Sequence, residues 1–222
     1  MPKQRSERPQ RRGRREREYR RGPPTKAARA IVLIVCEGTE TEYRYFNALR
    51  RQRELLSVTL EVARPGGQSE QLIRHAIELR SERARQPDSL PYEAVWCVLD
   101  REAANEPESF PSAVERADRA RIELAVSNPC FEYWYLLHFR ETDRPFHHAD
   151  DVYDALRHND CLPGFEKNHD VFEQLALHMD RAIERAERLY TAHAADMQDR
   201  FPNPSTLVQR LIRTIIEPEK RR

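Results

Sequence analysis

The chain has no uninterrupted apolar run of the roughly 18 residues that a membrane helix needs, so no membrane span is expected. Its N-terminus is basic but has no apolar h-region, so it does not read as a secretory signal. Cysteine is sparse. Cys36, Cys97, Cys130 and Cys161 are widely spaced and form no Cys-x-x-Cys pair, which argues against a structural zinc site or a disulfide framework. Buried free thiols in a cytoplasmic protein are the expectation. Lysine is nearly missing from the body of the chain. Lys3, Lys26 and Lys220 lie near the termini, and Lys167 stands alone among arginines. Apolar content is low at 39%, yet 222 residues can still bury a core, as one domain or one domain with an appendage.

Charge is distributed unevenly. Residues 1–29 carry 12 Lys and Arg against three Glu, a net of +9, which leaves 26 basic against 34 acidic residues in the rest, a net of −8. The tail has too little apolar surface to fold alone and is expected to be disordered. Arginine-rich arms bind phosphate backbones by charge and counterion release, so nucleic acid is an expected partner. An acidic body with a basic arm can also pair with a second copy, making a homo-oligomer a further expectation.

The most informative stretch runs from Ile31 to Glu42. Six apolar residues, Ile31 to Cys36, read as a strand buried on both faces. The run stops at Glu37-Gly38, and a helical pattern follows with Tyr43, Phe46, Ala48 and Leu49 near one face. This is the start of a βα unit, and it places Glu37 at the carboxyl end of a parallel strand, where open α/β sheets build ligand sites. Glu42 falls in the first helical turn, able to lean toward the same crevice. Tyr92 to Glu102 repeats the design, an apolar run ending in Asp100 with Glu102 two residues on. At period 2, Asp100 and Glu102 project to one side of an extended chain. Acids gathered this way repel unless a cation neutralises them, and oxygen-rich clusters suit Mg²⁺ or Mn²⁺.

Strands ending in Glu-Gly and in Asp-x-Glu resemble the TOPRIM domain of topoisomerases, primases and OLD-type nucleases. The closer resemblance is to the RloB-like family. It rests on Val35-Cys36-Glu37-Gly38, on Thr41-Glu42 followed by Tyr45-Phe46, and on Val95 to Asp100. It continues in Ser127-Asn128-Pro129-Cys130-Phe131-Glu132 leading to Leu136-Leu137-His138-Phe139, and in Asn203-Pro204-Ser205-Thr206. These motifs keep their order from about Ile31 to Ile216. Glu102 replaces the second acid of the usual Asp-x-Asp pair. Glu40 competes with Glu42 for the place facing the site, and the Thr-Glu match favours Glu42. The resemblance also has a Gly-aromatic-x-Lys stretch at Gly164 to Lys167. It implies a role in defence against phage (abortive infection), beside an ATPase partner.

The remaining elements follow from pattern. Ser57 to Ala63 alternates as a second strand, and Gly66-Gly67-Gln68-Ser69 opens a helix with Ser69 as a candidate N-cap. Ala103 to Pro111 reads as a loop, Ser112 to Ala120 as a helix and Ile122 to Val126 as a fourth strand. Pro129 suits the first position of an apolar helix, Cys130 to Phe139, in which Glu132 needs a partner such as a metal or an arginine. His138 on that helix is a candidate ligand, although a core histidine is the commoner case. Asp150 or Asp151 is expected to cap a helix over Val152 to Arg157, and His169 to Met197 to form one long helix or two, with Leu177 packed inside and a Glu184–Arg188 pair. A last helix spans Leu207 to Ile216.

The expected architecture is a TOPRIM-like α/β domain over 30–140, a mainly parallel sheet flanked by helices, with an α-helical part, 141–222, packed on it. The expected activity is metal-dependent nuclease cleavage of a phosphodiester. Glu37, Asp100 and Glu102 would be catalytic with Lys167, and Glu37, Glu42, Asp100 and Glu102 would hold Mg²⁺ or Mn²⁺, with Glu132 and His138 as further candidates. DNA, RNA and tRNA are all open as substrates. The rival reading is a non-enzymatic subunit that binds nucleic acid and an ATPase.

Overall fold

The computed structural model describes residues 31–37, 40–55, 58–62, 69–101, 109–194 and 199–216. Four parallel strands form the sheet: β1 (Val32–Cys36), β2 (Val58–Val62), β3 (Ala94–Asp100) and β4 (Glu123–Asn128), closed at one edge by a two-residue antiparallel strand, β5 (Ser205–Thr206). The strand order is β2-β1-β3-β4-β5. This is the mainly parallel, helix-flanked sheet expected from the alternation of apolar runs and helical patterns.

The order reverses at β1. The chain leaves β1 toward β2 through α1 (Thr41–Gln52), then returns past β1 to β3 through α2 (Ser69–Arg85) and on to β4 through α3 (Ser109–Ala120). Right-handed crossovers in opposite directions put helices on opposite faces. Accordingly, Leu33, Val35, Cys97, Leu99 and Val126 pack with Leu72, Ile73, Phe110 and Ala113 of α2 and α3. Ile34, Cys36, Trp96, Val98 and Ala125 pack with Tyr45, Phe46 and Leu49 of α1 on the other face. Neighbouring residues of each strand thus enter different cores, which explains the unbroken apolar runs. Leu33→Ala would cost about 2–5 kcal/mol, measurable by denaturant unfolding.

The second face is deepened by α4 (Glu132–Phe139), α5 (Ala149–Leu156), α6 (Phe172–Ala176), α7 (Met179–Ala194) and α8 (Val208–Ile216). Val152, Leu156, Met179, Ala182, Ala186 and Leu211 share one apolar cluster with Trp96 and Trp134. The helices beyond residue 140 therefore extend the core of the sheet rather than forming a separate one.

Several sequence expectations are corrected. Tyr45, not Tyr43, joins the buried face of α1. Ser69 is the first described residue of α2, and Gly66, Gly67 and Gln68 lie outside the described residues. The helix expected from Ser112 already includes Ser109, its first described residue, with Pro111 tolerated near its start, where no intrahelical donor is needed. Pro129 is not a first helical residue: the Asn128–Pro129 peptide is cis, and the helix starts at Glu132. His148 holds the N-cap position of α5, while the Asp151 carboxylate accepts from the backbone N–H groups of His147 and His148. The stretch from His169 forms two helices, α6 and α7. Leu177 lies between them, 81% exposed. Arg188 pairs not with Glu184 but with Glu141 at 2.9 Å, linking α7 to the segment after α4. No helix among the described residues is long and apolar enough to cross a membrane.

Candidate functional site

In a doubly wound sheet the crevice opens at the carboxyl ends of the strands that flank the reversal of order. Those strands are β1 and β3. Cys36 is in register with Val98, so Glu37 leaves β1 beside the last residues of β3, and Asp100 closes β3 opposite Ser127 of β4. Glu37 and Asp100 therefore lie on the same edge of adjacent strands. The Arg101 N–H donates to the Ser127 carbonyl at 2.8 Å, which carries the ladder one residue past Asp100 toward Glu102. Glu102 itself lies outside the described residues.

Two helices start at this edge. The first turn of α1 brings Thr41 and Glu42, and the first residue of α4 is Glu132. Glu132 is fully buried and accepts a hydrogen bond from Thr41 Oγ1 at 3.0 Å. Its partner is thus a hydroxyl, with Lys167 as the nearby positive charge, and not an arginine. Asp100 Oδ1 and Glu132 Oε2 are buried with no hydrogen-bond partner among the described residues. Glu40 points elsewhere: it is half-exposed and pairs with Arg44. Glu42 is the acid of that turn that faces the cluster.

The electrostatics bind these residues together. Burial pushes the Asp100 carboxyl well above the usual carboxylate range, and the charges of Glu42, Glu132 and Glu37 push the same way against Lys167. Glu42 is raised by burial and by Glu132, opposed by its own backbone N–H and by Lys167. Glu37 is raised by burial and by Glu42, again against Lys167. Burial pulls the Lys167 ammonium down, but Glu132, Tyr153 and Asp100 outweigh it, and the net shift is upward. Lys167 stays charged, with Tyr153 close to its ammonium. It sits on the loop between α5 and α6, which Thr41 Oγ1 touches at the Lys167 carbonyl at 3.4 Å. The fold thus gathers Glu37, Glu42, Asp100, Glu132 and Lys167 from five places in the chain.

His138 is not brought to this site. It is buried near the end of α4, its Nδ1 bonds the Trp134 carbonyl at 2.9 Å, and burial holds its pKa down at about 3. It is a neutral core histidine edged onto the Trp134 ring. Thr41 and Tyr153 are the residues that sequence reasoning did not single out for the site. Thr41 stood within a quoted motif, but a hydroxyl in a helix first turn normally reads as a cap. Tyr153 carried no signal, because nothing in sequence says that α5 returns beside the strand ends. The motif Asn203 to Thr206 also finds its place here. Thr206 Oγ1 lies 2.9 Å from Ser127 Oγ and accepts from the Val208 N–H, so β5 braces β4 next to Asp100.

The donor chemistry fits a hard divalent ion. Every candidate ligand offers carboxylate oxygen, and two of those oxygens are buried and unpartnered. Among the described residues, no group of three or more His, Cys, Asp or Glu is gathered tightly enough to hold an ion by itself.

Fold and site together define a doubly wound, mainly parallel α/β protein with an acidic crevice at its topological switch point. The chain belongs to the RloB-like protein family, whose model matches residues 32–215. No curated protein and no solved structure matches the chain in the same comparisons.

Proposed function

We propose that this chain is a metal-dependent nuclease that cleaves phosphodiester bonds in nucleic acid. The observation that carries this reading is the placement of Glu37 and Asp100 on the carboxyl edge of the two strands at the switch point, with unpartnered buried carboxylate oxygens and one lysine beside them. Buried like charges are costly, and a site that keeps them is a candidate for cation-assisted chemistry. Mg²⁺ is usually held by one or two carboxylates together with substrate phosphates and water, so two described acids suffice for such a site. Glu37 and Asp100 are the proposed described ligands, with Glu102 beyond the described residues, while Glu42 adds negative charge to the same crevice. When bound, Mg²⁺ or Mn²⁺ would neutralise charge on the phosphoryl group and make water a better nucleophile.

The chain's own residues have separate roles. Asp100, braced by the β3–β4 ladder, is held rigidly at the strand end. Glu37 has a raised pKa and is half-buried, which suits it to carry a proton to or from the reacting oxygens. Lys167, kept charged by Glu132 and Asp100, stabilises negative charge that develops on the phosphoryl or leaving oxygen. Thr41 positions Glu132 and touches the Lys167 loop. The basic residues 1–29 supply sequence-independent affinity for the backbone. Action beside an ATPase in phage defence, in the cytoplasm, extends the family resemblance and belongs to the same proposal.

The test is cleavage by the purified full chain with Mn²⁺ on single-stranded and duplex DNA, RNA and tRNA, with ends mapped. Cleavage that disappears in Glu37→Gln and in Asp100→Asn supports the reading. Silence on all substrates, with binding intact, would instead favour a non-enzymatic nucleic-acid-binding subunit.

A further inference from the structure

A cavity of about 440 Å³ lies beside the loop that carries Lys167. Its floor is apolar, made by Leu162, Phe165 and Val171, all buried. Its rim is polar, with the amides of Asn168 and Gln174, the Asp170 carboxylate and the Arg44 guanidinium. The mouth is open at Gly164, whose φ of +75° favours glycine and whose added Cβ would meet nothing within 4 Å.

The cavity shares a wall with the acidic site. Thr41 Oγ1 touches the Lys167 carbonyl and donates to Glu132, while Arg44, about one helical turn on, donates to the Asn168 carbonyl. One short piece of loop therefore presents Lys167 to the acids and its neighbours, Phe165 and Asn168, to the cavity. Asn168 of the lining follows Lys167 directly, so the cavity lies along the path of a strand whose phosphate meets Lys167. Phe165 is packed on Tyr135 and Tyr153, so the floor offers an unstacked base an apolar contact rather than a free ring to stack on. Side-chain amides offer a donor and an acceptor together, the pattern that reads a base edge.

We infer that this cavity reads one unpaired base next to the scissile phosphate, so that the substrate is a single-stranded or locally opened nucleic acid with a base preference at that position. The inference rests on the nuclease reading for its phosphate, but its own test needs no cleavage. Fluorescein-labelled single-stranded DNA and RNA oligonucleotides, with one position at a time varied through the four bases, are titrated with the full chain in EDTA. The expected result is one position at which affinity varies by about tenfold, the discrimination one bidentate contact provides. That preference should flatten in Gln174→Ala and Asn168→Ala, both exposed side chains, with melting temperature unchanged. Gln174→Glu, which swaps a donor for an acceptor, should alter which base is preferred. Equal affinity for all four bases at every position, or variants that keep the wild-type preference, overturns the inference. A base preference in a chain that cuts nothing with Mn²⁺ would refute the nuclease reading and leave the pocket standing. Cleavage with no base preference would do the reverse.

Discussion

Asp160 and Asp100 are the same side chain in opposite settings. Asp160 lies on the surface after α5, where Arg140 reaches its two oxygens at 2.8 and 2.9 Å and His158 approaches at 2.6 Å. Hydrogen bonds from Arg140 and His158 hold its carboxyl well below the usual range. Asp100 lies at the end of a central strand with one oxygen buried and unpartnered, and burial together with three other acids pushes it up. The first arrangement is what folding alone favours. The second opposes folding until something positive arrives. Several surface acids are paired with arginines, as in Arg200–Asp118 and Arg116–Glu70, whereas among the described residues the crevice holds one lysine against four acids. That imbalance is what the proposed cation would relieve.

The largest test of this contrast is activity. Asp100→Asn is expected to lower cleavage by about 10²–10⁴-fold, the range of an acid–base group or more, while Asp160→Asn leaves the rate near wild type. End-point and initial-rate assays with Mn²⁺ check both. Equal losses in the two variants would erase the distinction.

Next comes stability in the presence of metal. Mn²⁺ at about 100 times its Kd should stabilise the wild type by about 2.7 kcal/mol, because a ligand that binds only the folded form shifts the equilibrium by mass action. Asp100→Asn should lose most of that gain in thermal melts with and without EDTA. An equal shift in both proteins would remove Asp100 from the ligand set.

Thr41→Val sharpens the comparison from inside the crevice. It strips Glu132 of its hydroxyl donor and leaves a buried carboxylate with less satisfaction, at a cost of about 1–3 kcal/mol. Denaturant unfolding in EDTA reads this directly. No loss of stability would mean that water already serves Glu132.

The smallest effect is the pH dependence of the metal-free protein. The folded pKa values of Glu37, Glu42 and Asp100 lie above the unfolded ones. Above the unfolded carboxylate value near about 4, the folded state holds more protons, so these groups make stability fall as pH rises toward the folded values. The sign is opposite for Asp160, whose depressed pKa adds stability above the unfolded value and loses it in acid. Melting temperatures from pH 5 to 8 in EDTA should therefore decline less steeply for Asp100→Asn than for wild type. A steeper decline in the variant would contradict the placement of Asp100 among like charges.

Much of this molecule was legible before its folding. Strands buried on both faces need apolar residues at every position, so Ile31 to Cys36 and Val95 to Leu99 announced themselves, and the acid ending each run marked the sheet edge. Charge divided the basic residues 1–29 from the acidic body. Helix boundaries were less legible where local rules competed. Pro129 suits a helix start, yet here a cis peptide makes the turn, and Pro111 sits near the start of a helix where none was expected. His138 carried the chemistry of a ligand but lies on a buried face away from the acids, a distinction that residue type does not encode.

What the sequence by itself determined is therefore the set of βα units and the acids that close two of them, because a strand buried on both faces leaves an unbroken apolar run and an amphipathic helix a period of 3.6, both local patterns. Only the tertiary structure decided which residues meet. The reversal of strand order at β1 set Glu37 beside Asp100, α4 returned Glu132 to Thr41 across 91 residues, and the loop after α5 carried Lys167 to the same edge. Such meetings depend on handed crossovers and on helices packing over a shared core, long-range terms that no window of sequence contains.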